Sequence, residues 1–502
     1  MSDLAPPSWV SKRDGRLVPF EADRIRRALF AASESLGQPS VFRSCELTES
    51  IVHFLALDSE GQIPTTQRIA EVVEQVLRQL GQHDLATAFV RHRQRQATSR
   101  HRPVTLLSLY TPDLSAAERE GLIQLEGAET AGQLTGCVVT GRDWALGNLE
   151  AALEQASAVA GRFVALEGLE QLPEGVDPVR VRTALQATAL RAVVNLNGLQ
   201  PDEATRQAGS LFAGLAAPRR ASSLEWLQGL LGSSSFPGRI DWHLGSSDFS
   251  ESSRQQLPDL VRTALTWPEM TFVFDRPRRP VALAEGLDRE HVAVLGVVAL
   301  HLPTLAAQGG LLADWEAYLQ RLGSLARLAL SAAVQKRDFI RVKERQRLAD
   351  GASTSNLLSG FLLDRARLVV VPVGLDEVVR QFTGWGLANG GPSLELGCLL
   401  IRQLREVLER QGRLVQLEVC VDSPVEGSTG ERLSVAGLTP WDATASLKSQ
   451  LQAGSALHAA AGAGTLTLFV PPGEEDALPE LLEQAWRQTE IVRLRLQRPI
   501  AT

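Results

Sequence analysis

Along the first hundred positions apolar residues recur with helical period and polar ones fill the opposite faces. Ile25, Ala28, Leu29 and Ala32 share one face of a segment from Ala22 to Ser33. Leu47, Ile51, Val52 and Leu55 do the same between Glu46 and Leu57. The strongest pattern runs from Thr66 to Leu80, where Ile69, Val72, Val73, Val76, Leu77 and Leu80 line up; Thr65 or Thr66 can cap this helix and Gly81 can end it. A last helix spans Leu85 to Arg95. Ahead of them, Trp9–Lys12 and Leu17–Phe20 flank Arg13-Asp14-Gly15-Arg16, and Asp-Gly between two short apolar runs predicts a hairpin. The pattern therefore predicts a small hairpin-over-helices domain occupying residues 1–98.

Beyond residue 98 the pattern changes. Continuous apolar runs (Val292 to Leu302, Leu368 to Val373) and alternating ones (Val415, Leu417, Val419, Val421; then Leu466, Leu468, Val470) predict strands. Leu185 to Asn197 reads as a helix running into a strand, and Trp315, Leu319, Leu322, Leu325, Ala326 and Ala329 trace a long helix. Strands alternating with helices over residues 99–502 predict an α/β architecture, a barrel or a large open sheet.

Composition narrows the function classes. With 44% apolar and 22% charged residues and no run of about 18 uncharged apolar positions, no membrane span is expected. The N-terminus carries Asp3 and lacks an apolar core, so no secretory signal is read there and the cytoplasm is the expected compartment. A formal charge of −7 makes nucleic acid a poor partner. Cys45, Cys137, Cys398 and Cys420 stand apart, so neither a zinc knuckle nor a disulfide framework is indicated. Ala460-Ala461-Gly462-Ala463-Gly464 lacks the Lys-Ser or Lys-Thr of a phosphate loop and reads as a turn.

The string Val10-x-Lys12-Arg13-Asp14-Gly15, then Val18-Pro19-Phe20, then Asp23-Arg24-Ile25-x-x-Ala28, resembles the ATP-cone signature. The resemblance continues through Ile63-Pro64-Thr65-Thr66 and Ala88-Phe89-Val90-x-His92-Arg93. It implies that ATP or dATP binds as a regulatory effector through Val10, Lys12, Arg13, Asp14, Gly15, Phe20, Arg24, Thr66 and Arg93. The only metal it implies is magnesium carried by the nucleotide. The chemistry agrees: Lys12, Arg13 and Arg24 offer charged donors to phosphate oxygens, and an Asp-Gly turn lets backbone N–H groups come close. Charged residues at a hairpin edge also serve simply to block edge pairing.

Further strings resemble the anaerobic, glycyl-radical ribonucleotide reductases: Val193–Asn197, Leu295–Pro303 with Lys336–Ile340 after it, Val373–Glu377, and Ser423–Gly427 with Arg432-Leu433. That resemblance implies the reductase type of α/β barrel. It also exposes what this chain departs from. The family uses a cysteine on a finger loop, a glycyl-radical loop and paired zinc cysteines. The corresponding stretch from Arg276 to Val294 holds no cysteine, and neither a radical motif nor zinc cysteines follow Leu466. Tyr110 and Tyr318 are the only tyrosines, and Tyr318 lies on an amphipathic helix where packing is its expected role. No catalytic residue is assigned; Asp376, Glu377 and Glu426 at apparent strand ends are the remaining carboxylates of interest.

Three readings stay open. The first is a nucleotide-sensing regulatory protein or pseudoenzyme with a degenerate barrel, acting through a homo-oligomer or a reductase-related partner. The second is a reductase-type enzyme or subunit completed in trans. The third is a transcriptional regulator, for which no zinc ribbon or basic stripe is present.

Overall fold

The computed structural model describes residues 7–12, 17–59, 63–98, 110–126, 132–140, 149–167, 191–196, 238–255, 257–267, 270–308, 311–349, 361–422 and 445–498. The chain divides into two compact units, residues 1–123 with 320–335, and residues 124–319 with 336–502. Among the described residues no helix is long and apolar enough to cross a membrane.

In the first unit, strands β1 (Trp9–Ser11) and β2 (Leu17–Pro19) pair antiparallel, with Val10 opposite Val18. Helices α1 (Ala22–Ser35), α2 (Val41–Ser59), α3 (Thr66–Gln79) and α4 (His83–Thr98) follow. Their predicted faces meet in one core, where Leu29, Ile51, Leu55, Val73, Val76, Leu77 and Phe89 are buried. Each such side chain stabilises the bundle by about 1.5–3 kcal/mol relative to exposure. Thr65, not Thr66, caps α3: its side chain accepts from the Arg68 N–H at 3.1 Å. Helix α5 (Pro112–Arg119) packs on α1 and α2, and the middle turns of a long helix, residues 320–335, complete the unit with Leu322, Leu325 and Ala329 buried.

The second unit is built on one mixed sheet. Its strands are β3 (Ile123–Glu126), β4 (Leu134–Thr140), β5 (Ala160–Glu167), β6 (Arg191–Leu196), β7 (Gly238–Leu244), β8 (Met270–Phe274), β11 (Ala293–His301), β12 (Arg367–Val373), β13 (Val419–Val421), β14 (Thr465–Phe469) and β15 (Arg493–Gln497). The pairing order is β13-β12-β11-β4-β5-β6-β7-β8-β15-β14, with β3 added beside β11. From β4 to β8 every neighbour is parallel; the sheet reverses at β11–β4 and at β15–β8. Three parallel runs result, β13-β12-β11, β4 to β8, and β15-β14, the middle one opposed to the other two.

Alternation along the strands separates two cores. Ile240, Trp242 and Leu244 of β7 pack with Leu257, Leu260 and Val261 of the following helix, on the outer face. On the inner face Val138, Phe163, Ala165, Val294, Val297, Ala299, Val369 and Val371 surround Leu283, Ala284 and Leu287. These last three belong to a short hairpin, β9 (Ala282–Ala284) and β10 (Leu287–Asp288), which forms no part of the large sheet.

The long helix Trp315–Ala349 is unbroken. One expectation is corrected. Val415 and Leu417 do not extend a strand: the helix Gly391–Leu414 runs on to Leu414, Val415 caps it, and Gln416 turns the chain with φ of 51°. Only Val419–Val421 pairs, parallel to β12. A helix exit read as alternation because its apolar residues happened to fall two apart. Residues 185–190, where a helix was expected before β6, lie outside the described residues.

Candidate functional site

The first site is at the hairpin edge of the N-terminal unit. Val10 is buried, and its strand turns a second edge to the chain entering α3: Ser11 N donates to Pro64 O at 3.0 Å, and Ser11 bridges Thr65 in parallel. That pairing carries Lys12 out of the strand alongside Thr66, the exposed first residue of α3. Phe20 is half-buried against the helical core, and its N–H donates to Ser8 O at 3.0 Å, closing the hairpin. Arg24 is exposed on the first turn of α1, where its Nε and Nη2 each reach a Glu21 carboxylate oxygen at 3.0 Å. Arg93 is half-buried on α4. Lys12 and Thr66 are thus brought together by strand pairing, while Arg24 and Arg93 come from two other helices. Arg13, Asp14 and Gly15 lie outside the described residues.

The second site is inside the sheet. At the tip of the β9–β10 hairpin stand Glu285 and Gly286. Glu285 is 2% exposed and pairs with the Arg239 guanidinium of β7, whose Nε and Nη2 also hold Asp241 at 2.5 and 2.7 Å. Gly286 has φ of +66°, and a Cβ there would fall 2.2 Å from Val369 Cγ2, so both the backbone and the space call for glycine. Its N–H donates to Asp422 Oδ2 at 2.9 Å. Asp422 pairs in turn with Arg493 of β15, which also donates to Ala284 O at 2.7 Å and to Thr465 Oγ1 at 2.9 Å. The Arg493–Asp422 pair joins the regions of β15 and β13, which stand near opposite ends of the pairing order, so the sheet curls around the hairpin. Burial disfavours charge on Arg239, but Asp241 and Glu285 outweigh it and raise the guanidinium above its ordinary value.

The interior is therefore apolar on the β4, β5, β11 and β12 side and ionic on the β7 and β15 side. Sequence reasoning missed this cluster. Its signal was Arg239-Ile240-Asp241-Trp242-His243 and Arg493-Leu494-Arg495-Leu496, charges alternating with large apolar residues in strands buried on both faces.

At the C-terminal ends of β7 and β8 a further pair sits. His243 is 2% exposed, and its Nδ1 lies 3.0 Å from Asp275 Oδ1. Burial works against its protonation, yet the carboxylates of Asp275 and then Asp241 raise it above the ordinary histidine value. A raised value means that the pair stabilises the fold fully below the unfolded value of 6.5 and ceases to as pH rises through the folded one. The gap in denaturant midpoint between wild type and Asp275→Asn should thus be wider near about pH 6 than near about pH 9. An equal gap at both would mean that His243 stays neutral in the fold.

The other residues singled out have local duties. Asp376 accepts from Leu387 N–H and Arg380 Nε, both at 2.7 Å; Glu377 is exposed; Glu426 lies outside the described residues. Tyr318 stacks on Trp315, meets Phe382 edge to face and donates to Leu302 O, a packing role. Cys45, Cys137 and Cys398 are buried. Burial, and then Asp422, push the Cys420 thiol up to about 12. Among the described residues no cluster of metal-ligating side chains is present.

The family comparison decides the first unit: residues 9–98 match the ATP cone domain. The N-terminal domain is an ATP-cone. A curated relative, the ribonucleoside-diphosphate reductase subunit alpha of Chlamydia pneumoniae, is 32% identical over 120 residues, which are 22% of this chain and 11% of that one. The chain therefore spans about a tenth of the length of the relative it matches. Beyond the ATP-cone, the fold is that of the anaerobic ribonucleotide reductases. One solved anaerobic ribonucleotide reductase superposes with a TM-score of 0.56 at 12% identity, over 76% of this chain and 73% of that one. The Thermotoga maritima enzyme with dATP bound in the specificity site gives 0.55 at 12% identity, over 95% and 92%.

Proposed function

We propose that this protein is an ATP- or dATP-binding regulatory relative of the anaerobic ribonucleotide reductases, a pseudoenzyme whose ATP-cone controls assembly with further copies of itself or with a reductase-related partner. The nucleotide's phosphates would meet Lys12, Arg13 and Arg24, with Arg93 behind them and the Asp14-Gly15 turn admitting backbone donors. Val10, Phe20 and Thr66 would face the base and ribose, and magnesium would arrive with the phosphates.

The observation that carries the pseudoenzyme reading is the hairpin tip. By the resemblance, hydrogen abstraction by a thiyl would need a cysteine between Arg276 and Val294; that stretch holds none, and its hairpin tip carries Glu285, tied to Arg239 in a buried ion pair. A carboxylate so paired offers no exchangeable radical. Control of assembly requires only that the two association states differ in affinity for the effector.

Light scattering of the intact chain with ATP, with dATP and with neither, alongside calorimetric titration, tests this. The expected result is binding with a mass that depends on which nucleotide is present. One unchanging mass, with binding intact, would sink the assembly reading.

A second reading, an enzyme working in the inherited barrel, is favoured by the buried His243–Asp275 pair, because α/β barrels keep catalytic groups at the C-terminal ends of their strands. It predicts a nucleotide site that survives loss of the ATP-cone's cations.

A further inference from the structure

The first two turns of α1 and its N-cap carry more charge than a nucleotide contact needs, and the surplus forms a chain. Glu21, which holds Arg24 on the outside, also lies 3.9 Å from Arg27. Arg27 Nε is 3.2 Å from Asp23 Oδ2. Asp23 accepts from Arg26 Nε at 2.9 Å and from Ser331 Oγ, on the long helix, at 2.6 Å. Arg26, only 3% exposed, donates to Ser331 Oγ at 3.0 Å and pairs with Asp113 of α5. One turn further along the long helix, Gln335 donates to Ser331 Oγ at 2.9 Å, and its carbonyl accepts from Thr111 N–H at 3.0 Å. All of these residues belong to the first unit.

We infer that nucleotide occupancy of the ATP-cone is read out by this chain, Arg24–Glu21–Arg27–Asp23–Ser331, which ends on residues 320–335 of the long helix. The inference rests on the proposal that Arg24 contacts phosphate. Each carboxylate in the chain is shared by two cations. A phosphate that draws Arg24 away leaves Glu21 to Arg27, which need close only the 3.9 Å gap to take it. Arg27 thereby loosens from Asp23, and Asp23 gives its full charge to Arg26 and Ser331.

The exposed end of the chain is soft, because its ion pairs sit in water. The inner end is stiff, because Arg26 and Asp113 are desolvated and their electrostatic coupling is strong. Burial alone would raise Asp23, yet Arg26, then Arg27 and Ser331, hold it below its ordinary value, consistent with a carboxylate placed between cations. The helix that receives the signal is continuous, and its next residue, Lys336, is 1% exposed and donates to Thr135 of β4 at 3.0 Å.

The test is amide hydrogen exchange of the full chain, with and without ATP and dATP, run beside calorimetry on wild type, Arg27→Gln and Arg27→Lys. Arg27 is part-exposed and outside the proposed nucleotide contacts, so both variants should fold; Ser331→Ala is a second break at the far end. In wild type, nucleotide should change protection in residues 320–335 by about threefold or more. Arg27→Gln should bind nucleotide within about twofold of wild type yet lose that change, and Arg27→Lys should restore part of it. Wild-type binding with no change in residues 320–335, or a full change in Arg27→Gln, overturns the chain while leaving the nucleotide site standing. Absence of binding in wild type overturns both.

Discussion

Arg239→Ala should lower the unfolding free energy by about 3–5 kcal/mol, the cost of removing one partner from a buried ion pair. The size of the effect follows from what is left behind. Asp241 is 0% exposed and Glu285 is 2% exposed, and both would lose the guanidinium they share. Buried carboxylates that lose a shared guanidinium must either take up protons or open the sheet to water. The control is a triple replacement of Arg239, Asp241 and Glu285 by apolar residues of similar volume, which should recover much of the loss, since the charges then vanish together. Denaturant unfolding followed by the intrinsic tryptophans measures both. A loss below about 1 kcal/mol for Arg239→Ala would mean that the hairpin tip is not packed against β7 as described.

Lys12→Ala should weaken ATP binding by about tenfold, and Lys12→Ala with Arg24→Ala by about a hundredfold. A charge-assisted hydrogen bond contributes about 1.5–3 kcal/mol, and an exposed cation such as Arg24 belongs at the lower end because solvent screens it. Arg24 must also leave Glu21 to meet a phosphate, which offsets part of its gain. The dependence on salt should fall in step with affinity, since each lost cation removes a screened contact. Unchanged calorimetric affinity in the double variant would move the nucleotide to another surface of the ATP-cone, and with it the start of the chain through Glu21 and Arg27.

Much of the N-terminal domain was legible from residues alone. The helical faces of α1 to α3 were read within a few residues of their ends, because one amphipathic stripe buried against three others is enough to specify a small bundle. The ATP-cone signature was legible for a different reason: a site made of a strand end, a turn and a helix start within some thirty positions is written in contiguous residues. In the second unit β6, β11, β12 and β14 were read one by one, but β4, β5, β7, β8 and β15 were not, nor was the order of the strands. Pairing of β4 with β11, or of β8 with β15, joins segments far apart in the chain, and nothing local encodes such a contact.

The barrel interior divides in the same way. That no cysteine stands between Arg276 and Val294 was fixed by residue identity. What stands there instead was not: Glu285 looks like any loop carboxylate until Arg239 is brought to it, and Gly286 like any turn glycine until Asp422, held by Arg493, accepts from its N–H. The same holds for Ser331, three hundred positions from Asp23, and for Asp275 beneath His243. By itself the sequence determined which helices form in the N-terminal domain, where a nucleotide-binding signature lies and that no cysteine stands between Arg276 and Val294, since each depends on residues along the chain. Only the tertiary structure decided which buried charges neutralise one another, because a charge inside a protein is tolerated according to the partner that folding delivers to it.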